Sequence, residues 1–397
     1  MQICGVVAEF NPFHNGHLHL INSIRNAGAD GIVCVMSGNF VQRGEPAIIS
    51  KFARAKAAVL SGADLILELP LPYSISTAMF FANGAVDILN SLGVINTLCF
   101  GSECGDTEKL KTAANILSNE KMPGLLKEQL KSGVSFATAR QSAAEMLSDS
   151  DALSVLTTPN DTLGLEYIMA AERLKADLDF YAIKRLGAEH DSNVAVGNIC
   201  SASLLREKFK TCPAELLNYM PKSSYEVLKT EATAGRVADY GLLERAIIAH
   251  LRTITPEKLK NVPDVSEGLE NRIILAANRF SNLEDIIGAV KSKRYTHARL
   301  RRIILSSYLG VSSGLRLRKA PYIRVLAMNE KGAEILASAK GKSSLFVVSS
   351  LKDAERLAPD CKQFTSLEVN AGDIYSLMLQ KPTEGKTDFT SRLYKTF

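Results

Sequence analysis

Short apolar runs alternate with amphipathic stretches over the first two hundred residues of the chain. Five of these runs have the length and composition of buried strands: residues 3–8, 31–36, 64–69, 97–100 and 180–184. Helical spacing fills residues 18–27 and 50–61, with Ser50 as a candidate N-cap. Strands that cross over through helices build a parallel sheet. The sequence therefore predicts an α/β fold with an N-terminal doubly wound parallel sheet, which binds ligands at the carboxyl ends of its strands.

The pattern changes twice further along the chain. A loop containing Gly and Asn is expected after residue 184, and helical periodicity then runs from residue 204 to 315, broken at Pro256 and Pro263. After Pro321, strand-like residues 322–328 and 344–349 alternate with helical residues 331–339 and 367–379. We predict a nucleotide-binding domain over residues 1–205, a helical basic domain over 206–320 and a small C-terminal α/β unit over 321–397.

Composition narrows the class of protein. The 397 residues are 46% hydrophobic and 22% charged, which excludes a disordered chain and a fibre. No apolar run approaches the roughly 18 residues of a membrane span, so we expect no membrane association and a cytoplasmic location. Seven cysteines without a C-x-x-C pair predict neither a disulfide framework nor a metal site. No feature of the sequence points to a protein partner.

The first strand is followed by Asn-Pro-Phe and then by His14-Asn15-Gly16-His17 at the opening of a helix. A helix N-terminus offers unpaired N–H groups and a positive dipole end, which together favour phosphate. His14 and His17 share one helix face, so both imidazoles can donate to the same phosphate as charge builds in a transition state. They are the candidate catalytic residues. Read alone, the motif also fits a capped helix start with surface histidines.

A second motif lies at residues 199–206, with the sequence ICSASLLR. The hydroxyls of Ser201 and Ser203 and the N–H groups of a helix start could hold phosphate, with Arg206 supplying charge. An ordinary Ser N-cap is the alternative.

Acidic residues are absent between Asp285 and Glu330, whereas ten cations fall there, including Arg316, Arg318, Lys319 and Arg324. We predict that RNA binds to a helical, basic segment with Tyr295 and His297 interleaved, through six residues: Lys291, Lys293, Arg294, Arg299, Arg301 and Arg302. A solvated helix face is one alternative. The other is that some of these arginines form internal ion pairs with the N-terminal domain.

The first motif resembles the HIGH signature of the nucleotidylyl-transferase superfamily, and the second resembles its ISSTxIR-like helix start. Six stretches extend the likeness: VVAEFNPFHNGHLHL, VMSGNFVQRGEPAIISKFARAKAAVLSGADLILELP, CFGSE, NDTLGLEY, IKR and KRYTHARLRRIILSSYLG. Over nearly the whole chain they are similar to the tRNA(Met) cytidine acetate ligase family. Where Thr is common in the second motif, this chain has Ser203, which keeps the hydroxyl.

The resemblance implies a HIGH-type Rossmann-like fold and an enzyme that adenylates acetate with ATP and Mg²⁺ and passes the acetyl group to N4 of the wobble cytidine of elongator tRNA(Met). It implies ATP contacts at Val7, Ala8, Glu9, Phe10, Asn11, Pro12, Phe13, His14, Asn15, Gly16, His17, Leu18, His19, Leu20, Gly101, Asn160 and Arg185. Read alone, Gly101 could be a turn glycine, Asn160 a helix cap and Arg185 the partner of a surface carboxylate.

The polar segment 37–44 follows the second strand at the same edge and is expected to be a flexible loop. It either shapes an acetate pocket or lid through Ser37, Asn39, Gln42 and Arg43 or is a plain loop. Two other functions remain open at this point: a small-molecule adenylyltransferase that makes a dinucleotide cofactor, and an RNA-binding protein that no longer turns over.

Overall fold

A computed structural model describes residues 1–186 and 195–397, so most of the predicted Gly/Asn loop after residue 184 lies outside the described residues. The strands are β1 Ile3–Ala8, β2 Gly31–Ser37, β3 Phe40–Val41, β4 Glu45–Pro46, β5 Leu65–Leu69, β6 Thr97–Ser102, β7 Asp179–Lys184, β8 Ile323–Met328, β9 Val347–Val348 and β10 Tyr394–Lys395. All five strands predicted in the first two hundred residues are confirmed. The predicted flexible loop after β2 instead contains β3 and β4, which pair as an antiparallel hairpin.

The main sheet has the strand order β10-β8-β5-β2-β1-β6-β7, with β9 paired to β8. Strand β1 lies between β2 and β6 with all three parallel, and β5 and β7 extend the parallel part on either side. The chain therefore leaves β1 in one direction to reach β2 and β5 and in the other to reach β6 and β7. This reversal is the point at which doubly wound sheets bind ligands.

The helices cover both faces of this sheet and form most of the second half of the chain. Their bounds are α1 Asn15–Asn26, α2 Lys51–Leu60, α3 Leu71–Ser74, α4 Ala78–Ser91, α5 Thr107–Leu117, α6 Met122–Lys131, α7 Phe136–Glu145, α8 Pro159–Leu174, α9 Ala202–Thr211, α10 Lys222–Thr233, α11 Glu244–Thr253, α12 Pro256–Lys260, α13 Leu269–Arg279, α14 Leu283–Val290, α15 His297–Leu309, α16 Ser313–Arg316, α17 Glu330–Ala339, α18 Leu351–Ala354, α19 Pro359–Ser376 and α20 Thr387–Thr390. None of the helices in the described ranges is long and apolar enough to cross a membrane.

Capping residues start several helices where the sequence predicts them. Ser50 Oγ accepts the Ala53 N–H at the start of α2, and Ser201 Oγ accepts the Leu204 N–H at the start of α9. The basic segment is only partly helical, because α15 begins at His297 behind a Thr296 cap and residues 291–296 form a turn. The prediction of a helix from residue 291 is therefore wrong in its first six residues.

The C-terminal part of the chain completes the N-terminal sheet. Strand β8 pairs antiparallel with β5, and β10 pairs parallel with β8 at the sheet edge. Helices α11 to α15 bury their apolar faces in a separate core that includes Ile247, Leu251 and Ile303. The division into three domains at residues 205 and 320 stays a prediction, and the third segment contributes strands to the sheet of the first.

Five buried ionisable side chains join α2, β5, β8, α19 and α20. Lys51 Nζ lies 2.6 Å from Glu68 Oε1 and 2.5 Å from Asp388 Oδ1, and Arg324 Nη1 contacts the same two carboxylates at 2.9 and 2.5 Å. Burial, followed by the charge of Glu68, raises the pKa of Glu368 to about 8. Glu368 is therefore neutral at pH 7. The charges of Lys51 and Arg324 are then balanced by those of Glu68 and Asp388, so the buried cluster has no net charge.

We expect Glu368→Gln to weaken the pH dependence of stability between about pH 5 and about pH 8. The folded state keeps a proton on Glu368 up to about pH 8, whereas the unfolded chain releases it near pH 4.3. The native state thus binds the extra proton in that window, and stability falls as pH rises through it. Gln is always neutral and keeps an oxygen for the Leu71 N–H that Glu368 accepts.

Urea unfolding at three pH values across that window measures the effect. The wild type should lose more stability toward pH 8 than the variant does, whereas Glu120→Gln, at an exposed position, should follow the wild type. Parallel stability curves for wild type and Glu368→Gln would contradict the neutral assignment.

Candidate active site

The two motif histidines build the start of α1. His14 is the N-cap, and its Nδ1 accepts the Gly16 N–H at 3.0 Å, while His17 Nδ1 accepts the His14 N–H at 3.2 Å. Their rings stack with centroids 3.8 Å apart. A Cβ on residue 16 would lie 2.9 Å from His14 Cε1, so only glycine leaves this ring in place. The H-x-G-H spacing thus encodes a reciprocal cap that fixes both imidazoles.

The capping bonds also fix the protonation of both rings. Because each Nδ1 accepts a backbone N–H, the proton of a neutral imidazole must lie on Nε2. Burial, followed by the charges of Arg185 and Arg206, lowers the pKa of His14 to about 3. Burial, His14 and Arg185 lower the pKa of His17 well below its ordinary value. At neutral pH the pair therefore presents two Nε2–H donors without positive charge.

The other residues of the stretch 7–20 form the wall and the support of this helix start. Phe10, with a φ of 47°, and Phe13 are buried against each other and against the His17 ring, with Phe10 and His17 edge to face at 5.0 Å. Asn11 Oδ1 accepts the Ile48 N–H. The side chains of Ala8, Leu18 and Leu20 pack on the core beneath the sheet. These side chains are therefore engaged in packing and hydrogen bonds within the protein. A ligand can contact this part of the stretch only through the atoms that these interactions leave exposed.

A second group of predicted residues meets at the ends of β6 and β7. Arg185 Nη1 lies 3.5 Å from Asn160 Oδ1, and a Cβ on Gly101 would lie 3.4 Å from Arg185 Cγ. Glu103 Oε1 accepts the Asn160 Nδ2–H, and Glu103 Oε2 accepts the Asp161 N–H at 2.9 Å. Glu103 thus fixes the first turn of α8 and the amide of Asn160 beside Arg185. The structure brings Gly101, Asn160 and Arg185 together, as predicted.

The second motif lies beside the first. Arg206 Nη1 donates to the Asn11 carbonyl at 2.9 Å, and Asn15 Nδ2 donates to the Asn198 carbonyl at 2.8 Å. Ser201 caps α9, as its alternative interpretation predicts, and Ser203 lies in the first turn of that helix. The N-termini of α1 and α9 and two guanidinium groups therefore border one crevice at the carboxyl ends of β1, β6 and β7. Such a place suits an anionic ligand.

The residues predicted to form an acetate pocket or lid are held in place by the core. Ser37 is buried, and its Oγ has no hydrogen-bond partner among the described residues. Asn39 Oδ1 accepts the Lys51 N–H, and the Gln42 N–H binds Glu9 Oε1. Arg43 lies close enough to Glu9 to lower its pKa, although burial raises that pKa overall. Their predicted role toward acetate stays a prediction.

Two polar residues that support the crevice were not predicted from the sequence. Glu103 lies within the quoted CFGSE stretch, where a carboxylate beside a predicted anion site gave no reason to single it out. Arg54 lies in the helical spacing of α2, yet its guanidinium donates to the carbonyls of Glu9, Ser37 and Gly38. The sequence does not indicate this role, because it arises only when strands distant in the chain pack against α2.

The basic segment divides into paired and open cations. Arg301 forms ion pairs with Glu45 and with Glu284, at 2.5 and 2.8 Å. Arg299 donates to the Asp264 carbonyl, and Arg302 Nη1 donates to the Gln42 carbonyl at 3.4 Å. The predicted alternative of an ion pair with the N-terminal domain therefore holds for Arg301, through Glu45. Arg302 meets that domain at a backbone carbonyl, and Arg299 binds within the helical segment.

The turn before α15 contains the exposed members of the segment. Arg294 forms an ion pair with Glu267 at 2.7 Å, whereas Lys291 and Lys293 are exposed and form no ion pair with a described residue. The Tyr295 ring of this segment is buried beside the guanidinium groups of Arg272 and Arg299, so it is not open to stacking on a base. The prediction of RNA contact rests most directly on the two lysines.

Comparisons with known proteins agree over the full chain. The family model of the HIGH Nucleotidyl Transferase matches residues 1–389. The tRNA(Met) cytidine acetate ligase of Acetivibrio thermocellus is 38% identical, with 99% of each chain covered, and that of Caldanaerobacter subterraneus subsp. tengcongensis is 38% identical with full coverage of both. The crystal structure of Thermotoga maritima TmcAL bound with alpha-thio ATP is similar at 34% identity, with a TM-score of 0.92 over 100% of both chains, and its apo form has a TM-score of 0.93.

We expect His14→Asn to protect the protein against acid. Folding holds the His14 pKa at about 3, below the ordinary value near 6.5, so the unfolded chain binds an extra proton between these values and stability falls as pH drops below about 6.5. For one such group the loss between pH 7 and pH 5 is about 2 kcal/mol. Asn keeps an oxygen for the Gly16 N–H but does not titrate.

Chemical unfolding at both pH values tests this. The wild type should lose about 2 kcal/mol more than His14→Asn on acidification. His14→Ala, which lacks the cap, should be less stable than His14→Asn by about 1 kcal/mol at both pH values. An equal acid sensitivity of wild type and His14→Asn would mean that His14 is not held neutral.

Proposed function

Because the chain belongs to the tRNA(Met) cytidine acetate ligase family of HIGH nucleotidyl transferases and is an ATP-dependent ligase, we propose that it activates acetate as acetyl-adenylate and acetylates N4 of the wobble cytidine of elongator tRNA(Met). In the first step an acetate oxygen attacks the α-phosphorus of ATP and pyrophosphate leaves. In the second step the exocyclic amine attacks the acetyl carbon and AMP leaves.

The observation that carries the first step is the pair of neutral Nε2–H donors at the start of α1. Fixed donors stabilise negative charge on phosphate oxygens as it develops, and they cost no reorganisation during the reaction. The cations come from Arg185 and Arg206, which border the same crevice and act on His14. With donors from the histidines and positive charge from the arginines, catalysis depends on positioning the reactants and on stabilising charge. No side chain need be acylated.

The supporting residues fit a nucleotide at the ends of β1, β6 and β7. Glu103 positions Asn160 and the first turn of α8, so the amide and Arg185 can contact ATP beside Gly101, near the end of β6. Acetate would lie toward Ser37, Asn39, Gln42 and Arg43, which follow β2 at the same edge of the sheet. The weak nucleophilicity of the cytidine amine makes exclusion of water from the adenylate necessary.

Mg²⁺ would enter this site with the phosphates of ATP. No group of three His, Cys, Asp or Glu side chains in residues 1–186 and 195–397 could hold a metal ion. The described residues thus offer no protein cage for Mg²⁺, and the roles assigned here to His14, His17 and the arginines do not depend on one.

Acetate-dependent exchange of labelled pyrophosphate into ATP tests the first step. We expect exchange with ATP and acetate and without RNA, because the crevice is built from residues before 207. His17→Asn keeps an acceptor for the His14 N–H but lacks the distal donor, so exchange should fall by about 10²–10³-fold. His17→Gln places an N–H near the lost Nε2 and should recover part of the rate.

Exchange that appears only when tRNA is present would refute the separate first step. Exchange with another acceptor in place of acetate would favour a small-molecule adenylyltransferase. Exchange at the wild-type rate in His17→Asn would refute the role of His17. Mass analysis of tRNA nucleosides after incubation with ATP and labelled acetate tests the second step.

We expect Lys291→Gln with Lys293→Gln to weaken tRNA binding and to flatten its salt dependence. A cation that meets a phosphate releases counterions, so each cation removed from a phosphate lowers the slope of log affinity against log salt by about 0.7–0.9. Pyrophosphate exchange should not change, because the two lysines lie outside the crevice.

Arg301→Gln is the matched comparison for this double variant. It removes the ion pairs with Glu45 and Glu284, so it should reduce thermal stability more than tRNA affinity. If the folded lysine variant binds tRNA with the wild-type affinity and salt slope, the turn before α15 is not an RNA contact.

A further inference from the structure

A cavity of about 700 Å³ lies at the β10 edge of the sheet, away from the nucleotide crevice. Helix α2 forms one wall with Phe52 and Lys56, and α19 forms another with Tyr375. The segment 391–395 closes the third side with Arg392 and Tyr394. The nucleotide crevice borders β7 at the opposite edge of the sheet, so the cavity is a separate site.

The lining of the cavity is positively charged. Lys56, Arg392 and Lys395 line it and form no ion pair with a described residue, and all three are exposed. Among the described lining residues only Glu231 is acidic, and both of its oxygens accept from the Arg236 guanidinium at 2.7 and 2.8 Å. The cavity therefore presents three cations and no open carboxylate, a balance that attracts an anion with several charges.

Aromatic rings also line the cavity, and one of them lies beside Lys56. Lys56 Nζ lies 5.2 Å from the centroid of the half-buried Tyr394 ring, and the Phe52 and Tyr375 rings line the same space. The Tyr375 hydroxyl donates to the Ala47 carbonyl at 2.9 Å, which fixes that ring in the wall. Cations interleaved with rings are how proteins hold single-stranded nucleic acid, since phosphates meet the cations and bases stack on the rings.

One segment joins the cavity to the nucleotide crevice. Asn39 lines the cavity, and three residues later the Gln42 N–H binds Glu9 Oε1 in the first motif at 2.7 Å. An RNA loop held in the cavity would therefore lie against the same hairpin that borders the crevice. A small anion could contact the cations, but it would not contact the rings and would not extend from the cavity toward the crevice.

We propose that this cavity binds a single-stranded segment of the tRNA loop that flanks the modified nucleotide, with phosphates on Lys56, Arg392 and Lys395 and a base on Tyr394. This inference rests on the proposed function, because it takes tRNA as the substrate. It adds a site that is distinct from the basic segment before α15.

Two variants of the full-length protein separate the two kinds of contact. Lys56→Gln with Arg392→Gln and Lys395→Gln should weaken binding of an elongator tRNA(Met) transcript and reduce the salt slope by about 0.7 for each phosphate that the variant no longer neutralises. Tyr394→Leu should weaken binding by about 5–150-fold, the equivalent of about 1–3 kcal/mol for one stacked base. Its salt slope should match the wild type, because stacking releases no counterions.

Three controls accompany these variants. Tyr394→Phe keeps the ring and should bind as the wild type does. Lys127→Gln with Lys340→Gln and Lys342→Gln removes three exposed charges outside the cavity and should leave the slope unchanged. Acetate-dependent pyrophosphate exchange should be at the wild-type rate in every variant, which also shows that each protein is folded.

The outcomes distinguish this inference from the function on which it rests. If the wild type acetylates the transcript but the cavity variants bind it with unchanged affinity and slope, the cavity is not an RNA site. If the slope falls in the triple lysine and arginine variant but Tyr394→Leu binds normally, the site holds an anion without a stacked base and the inference is overturned. If the wild type neither binds nor acetylates tRNA, the proposed function itself fails.

Discussion

A single buried guanidinium holds the strand ends on which the crevice is built. Arg54, on α2, donates to the carbonyls of Glu9 after β1 and of Ser37 and Gly38 at the end of β2, and its Nε donates to the Ile49 carbonyl. A buried carbonyl group without a hydrogen-bond donor costs stability. Burial lowers the pKa of Arg54 to about 10, which leaves it charged at neutral pH. One cation thereby satisfies several acceptors and sets the position of the first motif relative to the hairpin.

The site divides donors from charges. The capping geometry and burial keep His14 and His17 neutral, so the two groups closest to the start of α1 add donors without adding to the positive charge of Arg185 and Arg206. Four cations in this space would repel each other before any ligand arrives. Neutral imidazoles avoid that repulsion and still present N–H groups to an anion. The burial that costs the protein stability at low pH is therefore the same burial that defines the donors.

The sequence predicted the parts of the structure that depend on local pattern. Apolar runs indicated the strands, and hydroxyl residues before helical spacing indicated the caps at Ser50 and Ser201, because both signals act within a few residues. The strand β8 could be predicted as a strand but not as the antiparallel neighbour of β5, since no local signal states which edge a distant strand joins.

The candidate site shows the same limit. The motif residues Gly101, Asn160 and Arg185 meet as the family resemblance implies. No sequence motif indicates that Glu103 positions the Asn160 amide. Along the chain, the basic segment has no acidic neighbours. Its arginines find Glu45, Asp264 and Glu284 across the fold, so charge counted along the chain overstated the charge that is open to a ligand.

The hairpin of β3 and β4 contacts both the first motif and the basic segment. The Gln42 N–H binds Glu9 next to the first motif, and Glu45 forms an ion pair with Arg301. Gly44 has a φ of 75°, and a Cβ at this position would lie 2.6 Å from the backbone nitrogen of Arg302. Only glycine allows both this backbone conformation and this close approach to α15. Just beyond the hairpin, the Ala47 carbonyl accepts from Tyr375 in the wall of the cavity. The hairpin and the residue that follows it therefore contact the crevice, helix α15 of the basic segment and the cavity wall at the same time.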